Sequence, residues 1–201
     1  MIAAVAAMTL QARQMGVAGE KTITIYFENR LAPKDDFAAK KQVEQMFATA
    51  GVRIVWRDGA PSTTEIAEER PIIVHFVLHT SLSDHPGALA FALPYEGTHL
   101  RVFYDRVRLD DPRLTQAVLA HVLVHEVTHL LQGMDRHSDT GVMKAHWTPE
   151  DYREMIRRPL PFTPGDIELI HDGLKIRKAL DVRPVQAASQ ELPEMEPISL
   201  R

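Results

Sequence analysis

Apolar and polar positions along the chain change their period several times, and each change marks an element. Lys21 is followed by Thr-Ile-Thr-Ile-Tyr-Phe, the two-residue alternation of a strand over residues 21–27. Asp35 or Asp36 can cap a helix that runs to Ala50, with Gly51 ending it. Residues 52–57 read as a second strand. Residues 58–70 hold Gly59, Pro61 and the acidic cluster Glu65, Glu68 and Glu69, and read as a solvated loop. The apolar run over 71–78 predicts a strand at the centre of a sheet. A loop rich in Gly, Pro, Asp and His follows, to Gly87. Residues 88–93 and 99–104 then read as two strands joined around Pro94 and Gly97.

The second half is helical. Asp111 and Pro112 are a cap followed by a first-turn proline. Leu114, Val118 and Val122 recur at helical spacing, and the helix is expected to reach Gln132, with Gly133 just past its end. Thr148-Pro149-Glu150-Asp151 opens another helix, and Thr163-Pro164-Gly165-Asp166 opens a third that runs to about Leu180. The order β-α-β-β-β-β-α predicts an α+β protein: a sheet with helices on its inner face, then a small second part.

Length and composition narrow the class. A chain of 201 residues predicts one domain with a sizeable core. The expected divisions are an Ala-rich segment 1–20, a domain 21–182 made of parts 21–133 and 134–182, and a flexible tail 183–201 rich in Pro, Glu, Gln and Ser. Residues 1–10 are too few to span a membrane. They resemble the apolar part of a secretory signal, with Gly16 and Ala18 as a cleavage site but without a basic start. A short packed helix is the other reading. The signal reading makes a secreted or periplasmic location favoured over the cytoplasm. No other segment can span a membrane. A net charge of −4 without any Lys/Arg-rich run argues against a nucleic-acid footprint. The absence of Cys means that any metal must be held by imidazole and carboxylate.

The candidate chemistry lies in the last turns of the long helix, at His125-Glu126-Val127-Thr128-His129. Two His four residues apart share one helix face, so both can reach one ion, and the Glu beside the first can reach a water there. Chance alone yields the bare pattern roughly 0.03 times in such a chain. Its flanks are strongly apolar, where an uncompensated Glu and two His would be costly. A catalytic zinc site needs three protein ligands and an open position. Gly133 can turn the chain so that His137 arrives as a third imidazole, with Met143 following in a Gly-containing turn.

The stretch from His125 to Met143 resembles the metzincin zinc peptidases, most closely the matrixin branch. These carry a His-Glu-x-x-His helix, a Gly turn, a third His followed by Ser, and a tight turn with Met. Pro86-Gly87-Ala88-Leu89-Ala90-Phe91-Ala92-Leu93-Pro94 is similar to the matrixin edge strand, and residues 99–105 to the strand after it. The late helix with Asp166, Ile167 and Ile170 is similar to the family's C-terminal helix. The resemblance spans roughly residues 21–180. It implies a twisted mixed sheet of about five strands with two long helices and a small, mostly irregular or helical C-terminal subdomain. It further implies a zinc-dependent endopeptidase that acts on peptide or protein, with His125, His129 and His137 on the metal. Glu126 would be the general base, Met143 an apolar floor, and 88–93 the strand on which substrate pairs. A monomer is favoured.

One spacing departs from the family. Gln132 stands at the usual Gly position and Asp135 at the usual third-ligand position, while Gly133 and His137 come one and two residues late. Asp135 is therefore the alternative third ligand. A zinc peptidase using Glu150 or Glu154 downstream, and a non-catalytic zinc-stabilised binding domain, are the competing functional readings. His121 is expected to pack or to support the site rather than to ligate. His75, His79, His85 and His99 are read as dispersed rather than as a second metal site. Tyr95, Trp147 and Tyr152 could line the cleft or simply pack in the core.

Overall fold

The computed structural model describes residues 21–181, apart from 30–32, 82, 84, 93 and 95. Expectations for residues 1–20, for the tail from Arg183, and for Leu93 and Tyr95 fall outside the described residues. The elements run β1 (Lys21–Phe27), α1 (Pro33–Thr49), β2 (Val52–Asp58), α2 (Thr63–Glu69), β3 (Ile72–Val77), β4 (Ala90–Ala92) and β5 (His99–Phe103). A single turn α3 (Tyr104–Val107) and the helices α4 (Pro112–Gln132), α5 (Pro149–Arg157) and α6 (Pro164–Asp181) follow.

The five strands form one mixed sheet in the order β2-β1-β3-β5-β4. Four are parallel, and β4 runs antiparallel to β5 on the open edge. The apolar run at 72–77 is the central strand, as its composition predicted. Ile72, Val74 and Phe76 of β3 are almost wholly buried in the core, to which α1 and α4, packed together, also contribute. Alternate residues such as His75, His99 and Arg101 point to the other face.

The long helix α4 is capped as predicted. The Asp111 side chain accepts from Arg113 N–H, Pro112 occupies the first turn, and Gly133 ends the helix at φ 67°. Sheet, α1, α5 and α6 surround it, so it is buried on nearly every face. That explains its nearly all-round apolar composition. Its crossing with α6 is a backbone contact: a Cβ on Gly173 would lie 1.7 Å from the Leu131 carbonyl oxygen.

Three local expectations are corrected. Residues 63–69 are a helix, not a loop. Ser62 and Glu65 close a reciprocal capping box, and Glu65 accepts from the Tyr26 hydroxyl at 2.5 Å. The edge strand covers only Ala90–Ala92, because Gly87 at φ 80° turns the chain just before it. Helix α1 begins at Pro33, ahead of the two aspartates expected to cap it. The helices begun by Thr148 and Thr163 form as expected, and Thr148 and Asp151 make a capping box. Among the described residues no helix is long and apolar enough to cross a membrane.

Candidate metal centre

His125 and His129 lie one turn apart on the buried face of α4, and each ring is oriented through its second nitrogen. His125 Nδ1 is 3.0 Å from the Val142 carbonyl oxygen, and His129 Nδ1 is 3.1 Å from that of Met134. A carbonyl only accepts, so each Nδ1 carries the proton and each Nε2 presents a bare lone pair. The two Nε2 atoms are 3.0 Å apart. Neither can donate to the other, and two lone pairs at that separation repel unless a cation lies between them. Two bonds of about 2.0–2.1 Å at a tetrahedral angle separate ligand nitrogens by about 3.3 Å, close to what is seen.

His137 completes the group. Its ring centroid lies 5.2 Å from that of His125 and 4.9 Å from that of His129, and ligand atoms of the three residues lie within 4.8 Å of one another. Among the described residues this is the one cluster of at least three His or carboxylate side chains with the spacing of a metal site. Three imidazoles without sulfur are a donor set that fits zinc with a position left open.

The loop that carries His137 is anchored on both sides of it. Arg136 Nη1 and Ser138 Oγ both donate to Asp166 Oδ1, at 3.2 and 2.6 Å. Asp166 Oδ2 takes the N–H and hydroxyl of Thr163 at 2.8 and 2.7 Å, which caps α6. Burial pushes the Asp166 carboxyl up, but hydrogen bonds from Ser138, Thr163 and Arg136 outweigh it and hold the group below its ordinary value. Beyond Ser138 the chain makes a tight turn. Ser138 N–H donates to the Met143 carbonyl at 2.8 Å, and Val142 N–H to that of Pro161 at 3.0 Å. Gly141 stands at φ 78° where a Cβ would meet the Pro161 carbonyl oxygen at 2.2 Å, so only glycine fits. Met143 is fully buried.

Electrostatics keep the donors ready. Burial pushes His125 down to about 4 against the smaller opposing effect of the Val142 carbonyl, and burial followed by the charge of His137 lowers His129. Both are thus neutral, the form a metal requires. Glu126 is pushed up to about 7, first by burial and then by the nearby charge of Asp135, while a hydrogen bond from Ala92 N–H of the edge strand opposes the shift.

Other predicted candidates sit as follows. Asp135 is exposed and outside the imidazole cluster, acting on it only through its charge. Glu150 and Glu154 pair with Arg153 and Arg158. His121 is wholly buried; its Nδ1 donates to the Ala117 carbonyl and its Nε2 accepts from Leu160 N–H. His75 pairs with Glu28, His99 with Glu96, and His85 stacks on Phe91. These last groups line a cavity of about 650 Å³ on the far face of the sheet, larger than the one at the imidazoles but without their converging nitrogens.

The cavity at the imidazoles has a volume of about 550 Å³. Residues 86–90 face His125, Glu126 and His137 across it, and Trp147 and Tyr152 stand on its wall. Trp147 Nε1 donates to the same Val142 carbonyl at 3.3 Å, and its ring meets that of His125 edge-on at 5.7 Å. Sequence reasoning missed Lys144 and His146, which also line this space. Their place just after the Met143 turn was the available signal.

No family model matches the chain, and no curated protein matches it. Its fold is similar to that of the archaemetzincin of Methanopyrus kandleri, at a TM-score of 0.54 and 16% identity over 80% of this chain and 99% of that one. The archaemetzincin of Archaeoglobus fulgidus, solved in complex with malonate, aligns at a TM-score of 0.47 and 15% identity, over 74% and 99% of the two chains.

Proposed function

We propose that this chain, which has an archaemetzincin-like fold, is a zinc-dependent endopeptidase. The observation that carries the reading is the pair of bare Nε2 atoms 3.0 Å apart on His125 and His129, each fixed by a carbonyl behind it, with His137 beside them. His125, His129 and His137 would hold the ion. Bound there, zinc supplies Lewis acidity: it lowers the pKa of water toward about 7 and polarises a carbonyl.

Glu126 is the general base. Held near 7, its carboxylate can take the proton of the attacking water at neutral pH and return it to the departing amine. It borders the same cavity as His125 and His137. An extended peptide would lie along the open edge of β4, pairing its main chain with the strand. Met143 is an apolar support under the turn that brings His137 into place.

Metal analysis and cleavage of a peptide library, each on wild type and Glu126→Gln, test the reading. Wild type should bind about one zinc and cut peptides in a chelator-sensitive way. The variant should keep its zinc and lose a factor of about 10² to 10⁴ in kcat. Undiminished cleavage by the variant, or a wild type that binds zinc but cuts nothing, would overturn it. His137→Ala should lower zinc content, while Asp135→Ala and Glu154→Ala should not.

A further inference from the structure

The edge strand beside the imidazole cluster is closed at one end. In the β4–β5 ladder, Phe103 N–H donates to the Leu89 carbonyl at 2.9 Å, and Phe91 stands opposite Arg101. Opposed residues of an antiparallel pair alternate between bonded and non-bonded. Leu89 and Phe91 therefore spend their main-chain groups on β5, while Ala88, Ala90 and Ala92 turn theirs to the open edge.

These three positions are not equally available. Ala88 N–H donates to the His85 carbonyl at 3.1 Å, and the Ala88 carbonyl accepts from Arg106 Nη1 at 2.8 Å. Both of its groups are taken. What remains for a partner strand, among the described residues, are the outward main-chain groups of Ala90 and Ala92.

Arg106 is not a casual occupant. The same guanidinium donates to the His85 carbonyl at 2.7 Å and to that of Ser81 at 3.3 Å, and it rests 4.7 Å from the centre of the Phe103 ring. A planar fork with several donors held by three carbonyls and an aromatic face is a fixed group, not one that swings away when a peptide arrives.

We infer that Arg106 sets the length of peptide the cleft can read. The edge is closed at its Ala88 end, where a substrate residue finds both main-chain groups taken, while the Ala90–Ala92 stretch stays open to pairing. This inference rests on the peptidase reading above.

Two series of quenched-fluorescent peptides test it. Both share one cleavable core; one is lengthened residue by residue on the amino side of the cut, the other on the carboxyl side, with products mapped by mass spectrometry. In wild type, kcat/KM should stop rising within about two residues of the cut in one series and continue in the other. Arg106→Ala, checked for folding by circular dichroism, should free the Ala88 carbonyl and make the flat series rise by about fivefold for the next residue, the effect of one added hydrogen bond. A wild type in which both series keep rising overturns the inference even if the variant fails to fold. So does a folded variant whose flat series stays flat. If wild type cuts no peptide of either series, the peptidase reading fails first and takes this inference with it.

Discussion

At the scale of single residues, the site depends on histidines kept neutral by burial, and His121 shows what that costs. It is wholly enclosed one turn before His125, and burial pushes it down to about 4, against the weaker opposing effect of the Ala117 carbonyl. An unfolded chain binds that proton near 6.5. As pH falls from 6.5 toward 4, the unfolded state takes up a proton that the folded state refuses, so stability is lost. It is fully present above 6.5. The gap amounts to about 3 kcal/mol. Denaturant unfolding of the metal-free protein between pH 4 and 7 should show this acid-sensitive component in wild type and a correspondingly flatter profile in His121→Gln. Parallel profiles would sink the argument. The fate of His121 was legible in the sequence as that of a packed residue, because it shares the His125 face but lies inside an apolar run.

At the scale of elements, what could be read was whatever is encoded locally. The Asp111 cap, Pro112 and Gly133 bound α4 to the residue, and the His125–His129 spacing placed two donors on one face. Helix α2 escaped because its residues are polar and exposed, although the Ser62–Glu65 box was a usable signal. The order of strands and the Val142 carbonyl behind His125 are pairings between residues distant in sequence, with no local trace. The contact between α6 and α4 is of this kind. Gly173→Ala would drive a methyl group into the Leu131 carbonyl, and a backbone cannot rotate away. The substitution should cost at least about 2 kcal/mol in thermal or denaturant unfolding, despite the better helix propensity of alanine. A neutral effect would mean that the two helices do not cross this closely.

At the scale of the whole molecule, an ion at the centre would tie α4 to the 134–143 loop, and through Asp166 to α6. Anything that binds only the folded state stabilises it by mass action, about 4 kcal/mol at a thousand times Kd. For a domain of this size that is about 10 °C in Tm. Saturating zinc should therefore raise the melting temperature of the chelator-treated protein by about that amount, and His129→Ala should abolish the rise. An equal rise in the variant would place the stabilising ion elsewhere. The archaemetzincin-like fold supplies the sheet, the long helix and the open edge. Asp166 grips the loop that carries His137 on either side of it.

The main chain of Val142 has a bearing on how this protein could be dissected. Its carbonyl orients His125 and takes the Trp147 indole proton, while its N–H holds Pro161. Three parts of the molecule meet on the main chain of one residue, through the two amides that flank it, and none of these bonds uses anything peculiar to valine. A mutational scan changes side chains and leaves amides in place. It would score position 142 as ordinary apolar packing and pass over the joint on which ligand orientation turns. The information there is written in the main chain, where substitution data are blind.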